Sequence, residues 1–311
     1  MTNNPRQYIL VAAQSARMLA QLGLSAGYMP LAIDCFGDQD TLVYAEDCQR
    51  IASMAEADFG PAFDHFLSRY PVTGVVYGSG FERYPGSLKL AGIRLDIMGN
   101  QPDVFAGLLD KAAFFSLLSA LQIPYPAVSF HPPEDETGWL VKPMEGHGGV
   151  SIKRYRKTEA IESATYWQKY QAGVPHSVLF LADGKRCVAI GFNRQWTTSV
   201  NAKNEFCFAG VINHTELSED QKAQISTWVS KLDSALSLKG LNSLDFIQAG
   251  QASYVLEINP RPPASMQLYD ADLFARHIKA CQGELLDYQP KQSGFTGYQI
   301  VYAKQETQIP R

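Results

Sequence analysis

The chain has 311 residues, 46% hydrophobic and 19% charged, with 27 Lys and Arg against 31 Asp and Glu for a formal net charge of −4. That length suffices for two or three compact units with a sizeable core, and the mildly acidic balance leaves no electrostatic footprint for nucleic acid. No window approaches the roughly 18 uninterrupted apolar residues of a membrane span.

Five scattered cysteines, Cys35, Cys48, Cys187, Cys207 and Cys281, form no C-x-x-C pair, so neither a disulfide framework nor a zinc site is indicated. A reduced, cytoplasmic protein without a membrane partner is the expectation. YILVAA near the start is too short and wrongly flanked for a signal peptide.

Residues 8–13, YILVAA, have the run length of a buried parallel strand. Ser15 is placed to cap a helix whose pattern runs through Arg17, Met18, Leu19 and Leu22 and stops at Gly23. MPLAIDC reads as a second strand, DFGPAFDHFLSRYP as an amphipathic helix and VTGVVYGSG as a strand ending in glycines. This alternation over the first hundred residues predicts a small open parallel sheet. Gly78 and Gly80 invite a dinucleotide reading, but AAQSARMLA, not G-x-G-x-x-G, follows the first strand.

Around residue 99 the texture changes. Pro102 begins a helix continued by Leu108 and Leu109, and Lys111 precedes a second apolar stretch that stops at Ile123-Pro124. WLVKP is a predicted strand, EGHGGVSI a glycine loop, and YWQKY and SVLFLADG a strand, a connection and a hairpin. CVAIGFNRQW and FCFAGVI are β-like, a helix runs from about Glu219 to Leu238, and LDFIQAGQASYVLEINP is a hairpin turned at Ala249-Gly250.

The hairpin carries the strongest chemical signal. Glu257 and Asn259 point to one face of a strand, about 7 Å apart, and Asp245 on the preceding strand can face them across the ladder. Two carboxylates and an amide oxygen suit magnesium, which leaves coordination positions for water and phosphate. Arg261, between Pro260 and Pro262, offers a rigid planar fork to a phosphate or acyl phosphate. The alternative is a solvent-facing hairpin whose acids stay wet; the adjoining Asn-Pro-Arg-Pro, which has no obvious folding purpose, weighs against it.

Lys142 in V-K-P, followed by Glu145 and the glycines 146, 148 and 149, has the chemistry of a phosphate cradle. An ordinary hairpin turn is its alternative, and His147 reads as a loop residue. Lys111, after Asp110, is by itself an unremarkable surface lysine. WQKYQAG-VPHSV reads as a hinge or an edge strand.

In their order along the chain (a lysine, a lysine with a glycine loop, a polar hinge, then Asp…Glu-x-Asn-Pro-Arg) these elements closely resemble the ATP-grasp superfamily over essentially the whole sequence. The resemblance implies a mixed α/β (α+β) fold: a pre-ATP-grasp α/β domain over 1–98, a first lobe with the glycine loop over 99–167, and a second lobe with the magnesium site over 168–311. Lys111 and Lys142 would touch ATP phosphates, and Gly146, Gly148 and Gly149 would close over them. Gln168, Lys169 and Tyr170 would line the adenine pocket, although Gln168 and Lys169 depart from the usual acidic residue and Pro175 and His176 stand where a ribose-binding acid often sits. Asp245, Glu257 and Asn259 match the ligands of magnesium, with manganese as the alternative ion, and Arg261 the residue facing the reacting phosphoryl group. Catalysis would fall to Arg261 and Lys142.

Such enzymes join a small-molecule carboxylate to an amine acceptor through an acyl phosphate, and many are homodimers. AAQSARMLAQLGLSAGYMPLAIDCFGDQDT, LKGLNSLDFI, LEINPRPPASMQLYD and the ending GYQIVYAKQETQIP resemble a narrower group, the ligases associated with methanofuran and tetrahydromethanopterin biosynthesis. Archaeal members of that group attach glutamate to tyramine, which implies L-glutamate and an amine acceptor here. Arg194, Gln195 and Ser199 are expected near the acyl or acceptor site, an exposed polar strand being the alternative. A nucleotide-binding regulatory or scaffold protein that has lost ligation, and a ligase for an unrelated amino acid or peptide, complete the expectations.

Overall fold

In the computed structural model, which describes residues 7–158, 164–288 and 294–303, residues 8–77 build a wholly parallel sheet. Its strands are Tyr8–Ala13 (β1), Met29–Asp34 (β2), Asp47–Arg50 (β3) and Val72–Tyr77 (β4), in the order β3-β2-β1-β4. Ile9 to Ala13 are buried without exception, as an uninterrupted apolar run requires between two neighbouring strands and helix layers. The crossovers are Arg17–Ser25 (α1), Gln39–Tyr44 (α2) and Glu56–Arg69 (α3); Pro85–Arg94 (α4) follows β4.

Two details of α1 depart from expectation. The residue before the helix is Ala16, not Ser15, and its N–H donates to the buried Asp34 Oδ2 (2.6 Å), so a strand-end carboxylate from β2 does the capping. The helix also runs past Gly23 to Ser25, since a lone glycine costs only about 1 kcal/mol when the turn around it is packed.

Pro102–Leu109 (α5) and Lys111–Ala120 (α6) come next, divided at Asp110, whose side chain accepts the Ala113 N–H at 3.0 Å. An antiparallel sheet of Val128–Ser129 (β5), Trp139–Pro143 (β6), Lys153–Arg154 (β7) and Thr165–Lys169 (β8) has the order β5-β8-β6-β7.

The third and largest sheet contains Val174–Asp183 (β9), Cys187–Thr198 (β10), Cys207–Ile212 (β11), Lys239–Ala249 (β12), Ala252–Asn259 (β13) and Gly297–Gln299 (β14). Its order is β13-β12-β9-β10-β11-β14, antiparallel throughout. Glu219–Leu236 (α7) and Leu273–Cys281 (α8) complete the chain's helices among the described residues. Ser218 and Gln221 form a capping box on α7, which ends before the predicted Leu238 because Ser237 turns left-handed (φ 51°). Of the ending GYQIVYAKQETQIP, residues 304–310 lie outside the described residues.

Strand β9 explains the layering. Val178, Phe180 and Ala182 enter one apolar cluster with α6 and α7, while Leu179 and Leu181 enter another with α1 and α8. A strand apolar on both faces thus joins the large sheet to the parallel sheet behind it and to α6 in front. Polar links reinforce the seam. Asn100 Nδ2 donates to Asn242 Oδ1 (2.7 Å) and Pro260 O (2.8 Å), and Tyr77 Oη donates toward Pro260 O at 3.0 Å. No described helix is long and apolar enough to cross a membrane.

His277 is buried in the same seam. Its Nδ1 accepts the Leu241 N–H (2.8 Å), which assigns the proton to Nε2, and Nε2 donates to Met98 O (2.8 Å). Gly240, at φ +69°, is required here, because a Cβ would lie 2.4 Å from the imidazole. Burial pushes the imidazole from 6.5 down to about 4, against the Met98 hydrogen bond. The unfolded chain therefore binds the extra proton between pH 6.5 and 4. The stability that His277 contributes is full above that window and falls by about 3 kcal/mol across it. Unfolding midpoints of the wild type and His277→Gln at pH 7.5 and 4.5 check this: the variant should lose less on acidification. Asp233, raised to about 6 by burial, and Asp245, raised to about 7, work in the opposite direction in both proteins.

Candidate functional site

The hairpin β12–β13 sets Asp245 opposite Glu257 and Ser243 opposite Asn259, with a bulge after Asp245. Leu244 and Phe246 turn into the apolar cluster, so Ser243 and Asp245 face the other way, into a cavity of about 720 Å³. Like charges directly across a ladder destabilise a sheet, and here both side chains are half-buried in the cavity wall. Asp245 Oδ1 is inaccessible and has no hydrogen-bond partner, while its Oδ2 accepts from Asn259 Nδ2 at 3.1 Å. Burial and then Glu257 push Asp245 up to about 7, although Asn259, Arg261 and Gln195 pull it down. The acids are not the wet surface pair that a plain hairpin would present.

That donor set fits a hard divalent cation. Asn259 spends its Nδ2 on Asp245 and keeps its Oδ1 for a ligand, and the orphaned Asp245 oxygen is an unmet demand that a cation satisfies. No cluster of three His, Cys, Asp or Glu occurs among the described residues, so this is not an all-protein cage. An incomplete oxygen set is the arrangement magnesium takes when a substrate phosphate supplies the rest.

Lys142 projects from β6 and Gln168 from β8, adjacent strands, and both are buried. Lys142 Nζ donates to Gln168 Oε1 (3.1 Å) and lies 5.7 Å from the centre of the Tyr166 ring. Desolvation lowers its pKa, while Glu257 and then Asp245 raise it. Gln168 Nε2 is buried with no partner, a second donor aimed at nothing in the protein. Lys111 stands at the first position of α6, close enough to Tyr166 to offset part of the rise that burial imposes on that phenol.

The glycine loop is docked on the tip of the β10–β11 hairpin. Phe208 N–H donates to Gly148 O (2.9 Å), Ser151 N–H to Asn204 Oδ1 (2.9 Å) and Glu205 N–H to Ile152 O (3.0 Å). Gly149, at φ +71°, passes so close to Phe206 that a Cβ would sit 2.0 Å from its carbonyl oxygen. Gly149→Ala must therefore displace the loop. The left-handed strain of about 1–2 kcal/mol predicts roughly tenfold weaker binding of Mg-ADP, read by calorimetric titration.

Every nucleotide-, phosphate- and metal-binding position expected from the sequence lines this one cavity: Lys111, Lys142, Gly146, Gly148, Gly149, Gln168, Lys169, Tyr170, Asp245, Glu257, Asn259 and Arg261. Lys169 does so with its charge turned elsewhere. Its Nζ donates to Thr137 O (2.7 Å) and lies 4.8 Å from the centre of the Trp139 ring, because strand alternation sends it opposite to Gln168. Gln195 faces the cavity, whereas Arg194 and Ser199 do not line it. Alternation again accounts for Arg194, which reaches Glu216 (4.0 Å) on the outer side.

What pins Arg261 is not its prolines but Glu82, whose Oε1 accepts from Arg261 Nε at 2.6 Å. Burial would raise the Glu82 carboxyl, but the Arg261 charge and the hydrogen bonds from Arg261 and Gly80 outweigh it and hold its pKa down. Sequence reasoning missed Glu82. It lies 179 positions from Arg261 in a short 3-10 turn, Phe81–Arg83, where no pattern marks it. His147 also reaches the cavity, where burial lowers its pKa and Glu82 and Arg261 exert opposite pulls.

A family profile described as "ATP-grasp domain" matches residues 108–265. None of the curated proteins matches the sequence. Among solved structures, biotin carboxylase from Campylobacter jejuni in its β-γ-ATP complex superposes with a TM-score of 0.74 at 16% identity, covering 94% of this chain and 74% of that one. N5-carboxyaminoimidazole ribonucleotide synthetase from Thermus thermophilus gives 0.73 at 16% identity over 93% of this chain and 82% of its own. The biotin carboxylase domain of the Hydrogenobacter thermophilus 2-oxoglutarate carboxylase, solved with MgADP, ADP and bicarbonate, gives 0.72 at 15%, covering 94% and 73%. At these identities the likeness is one of fold.

Proposed function

Because the chain belongs to the ATP-grasp family, we propose that it is an ATP-dependent carboxylate–amine ligase that forms an amide through an acyl phosphate. The observation that carries this reading is the convergence of Lys142, Asp245, Glu257, Asn259 and Arg261 on one cavity. Those residues come from three stretches of chain that only a shared ligand would need together.

In this reading the carboxylate substrate attacks the γ-phosphorus of ATP, ADP leaves, and the amine displaces phosphate from the acyl phosphate. Lys111 and Lys142 neutralise phosphate charge, and the loop with Gly146, Gly148 and Gly149 covers it and excludes water. Gln168 and the backbone through Tyr170 border the base. A magnesium ion held by Asp245, Glu257 and Asn259 would supply charge neutralisation between the phosphates. Arg261 presents its fork to the moving phosphoryl group, whose transfer asks for positioning and charge stabilisation, not a protein nucleophile. The domains proposed for these roles are 1–98, 99–167 and 168–311.

For the substrates we propose L-glutamate and an amine acceptor, in methanofuran-type or tetrahydromethanopterin-linked cofactor synthesis in the cytoplasm. The motifs AAQSARMLA, LEINPRPPASMQLYD and GYQIVYA support that choice. Against a scaffold that has lost ligation stands the Asp245–Glu257 opposition, which costs the sheet stability and gains nothing without a cation.

The test is ADP release from Mg-ATP and L-glutamate, with and without tyramine, tyrosine or a methanofuran precursor, read alongside product mass. A product one glutamyl unit heavier than one acceptor establishes the ligase and names the substrate. Mg-ATP binding with no ADP from any pair removes the glutamate assignment, and no binding of Mg-ATP removes the whole reading.

A further inference from the structure

We infer that Glu82 is a positioning residue: it takes the Nε edge of Arg261, holding that guanidinium off the metal-binding carboxylates and aimed at the transferring phosphoryl group. The inference rests on the nucleotide and metal site proposed above.

Four features of the geometry support it. The pair is close, 2.6 Å, and both residues are nearly closed to solvent, at 8% and 9% exposure. Glu82 is itself fixed, since its second oxygen accepts the Gly80 N–H at 2.6 Å. Only Nε of Arg261 is engaged; among the described residues its two terminal nitrogens have no hydrogen-bond partner, and Arg261 lines the cavity. Finally, the other acids facing that cavity are Asp245 and Glu257, and the Arg261 charge already reaches Asp245.

A guanidinium fork bound along its Nε edge has one rotation about its long axis left to it, so Glu82 sets where the terminal nitrogens point. Without Glu82 the buried charge has no compensation. The nearest relief is to swing onto Asp245 or Glu257. That new ion pair would compete with a divalent cation for the same oxygens. Glu82 thus protects the cation site as much as it aims the arginine, and it does so from the parallel sheet's side of the cavity, on the segment after β4.

The test reads cation binding rather than turnover. ADP is the probe, because it lacks the γ-phosphoryl group that Arg261 faces, and Arg261→Ala supplies the baseline for the double variant. The Mg²⁺ concentration giving half-maximal ADP binding is measured by calorimetry for the wild type, Glu82→Ala, Arg261→Ala and Glu82→Ala/Arg261→Ala. Folding of each is checked by circular dichroism.

Glu82→Ala should raise the Mg²⁺ requirement by roughly tenfold or more, in the range of outer-sphere ligand partners. The double variant, in which the competing guanidinium is gone, should match Arg261→Ala to within about threefold, a recovery no general loosening of the fold produces. Glu82→Asp, which keeps the charge, should stay near wild type. If Glu82→Ala does not fold, Glu82→Met fills the same volume and carries the same expectation. An unchanged Mg²⁺ requirement in the single variant, or a double variant as weak as the single, overturns the inference while leaving the nucleotide site standing. A wild-type protein that binds ADP without regard to Mg²⁺ removes the proposed metal site, and the inference with it.

Discussion

Glu257→Ala is expected to reduce ADP formation from Mg-ATP by on the order of 10²–10³-fold, with the unfolding midpoint unchanged or slightly raised. The two effects have one cause. Glu257 faces Asp245 across the ladder, and its charge is the second-largest contribution to the rise of the Asp245 carboxyl to about 7. Removing it relieves repulsion between the two acids, yet it takes away half of the carboxylate set on which the proposed cation would depend. A coupled ADP assay over a range of Mg²⁺ and a thermal melt on the same preparation decide the matter. Turnover within about twofold of wild type would remove Glu257 from the metal site.

Lys142→Met should likewise separate activity from stability. Lys142 is 8% exposed, and its ammonium, held by Gln168, is disfavoured by desolvation and sustained by Glu257 and Asp245. Met keeps most of the volume and removes a buried charge, a change that typically leaves stability level or higher. Nucleotide turnover should fall on the order of 10²-fold or more, because the missing charge is one that phosphate oxygens would meet inside a sheltered cavity. Rescue by Lys142→Arg is not expected: a planar fork does not fit between Gln168 and Tyr166 as a compact ammonium does. A variant that melts far lower, with turnover falling only in proportion, would mark Lys142 as a structural residue.

The parallel sheet, the glycine loop and the acidic hairpin were legible in the chain because each is local. YILVAA, VTGVVY and SVLFLA are apolar runs of strand length bounded by turn residues, and the burial of β1, β4 and β9 follows from that alone. Asp245 and Glu257 could be brought together because the hairpin, turned at Gly250-Gln251, is local; the bulge after Asp245, which shifts the register by one residue and sets the two directly opposite, left no mark in the sequence. Departures had two sources: a distant group in place of a local one, and a strand alternation that the sequence carried but the assignment of site residues did not follow. Asp34, from the end of β2, took the capping role expected of Ser15, and strand alternation turned Arg194 and the Lys169 ammonium away from the site.

Sequence by itself determined which chemistry was available: an amide and two acids on a hairpin, two lysines, a glycine loop and an arginine between prolines. Tertiary structure alone decided that these share a single cavity, that Asp245 is sheltered enough to hold a raised pKa, and that Arg261 is set by Glu82. The physical reason is range. Hydrogen-bond register and side-chain alternation act over a few residues and leave a periodic mark, whereas desolvation and a 2.6 Å ion pair spanning 179 positions depend on how sheets pack and leave none.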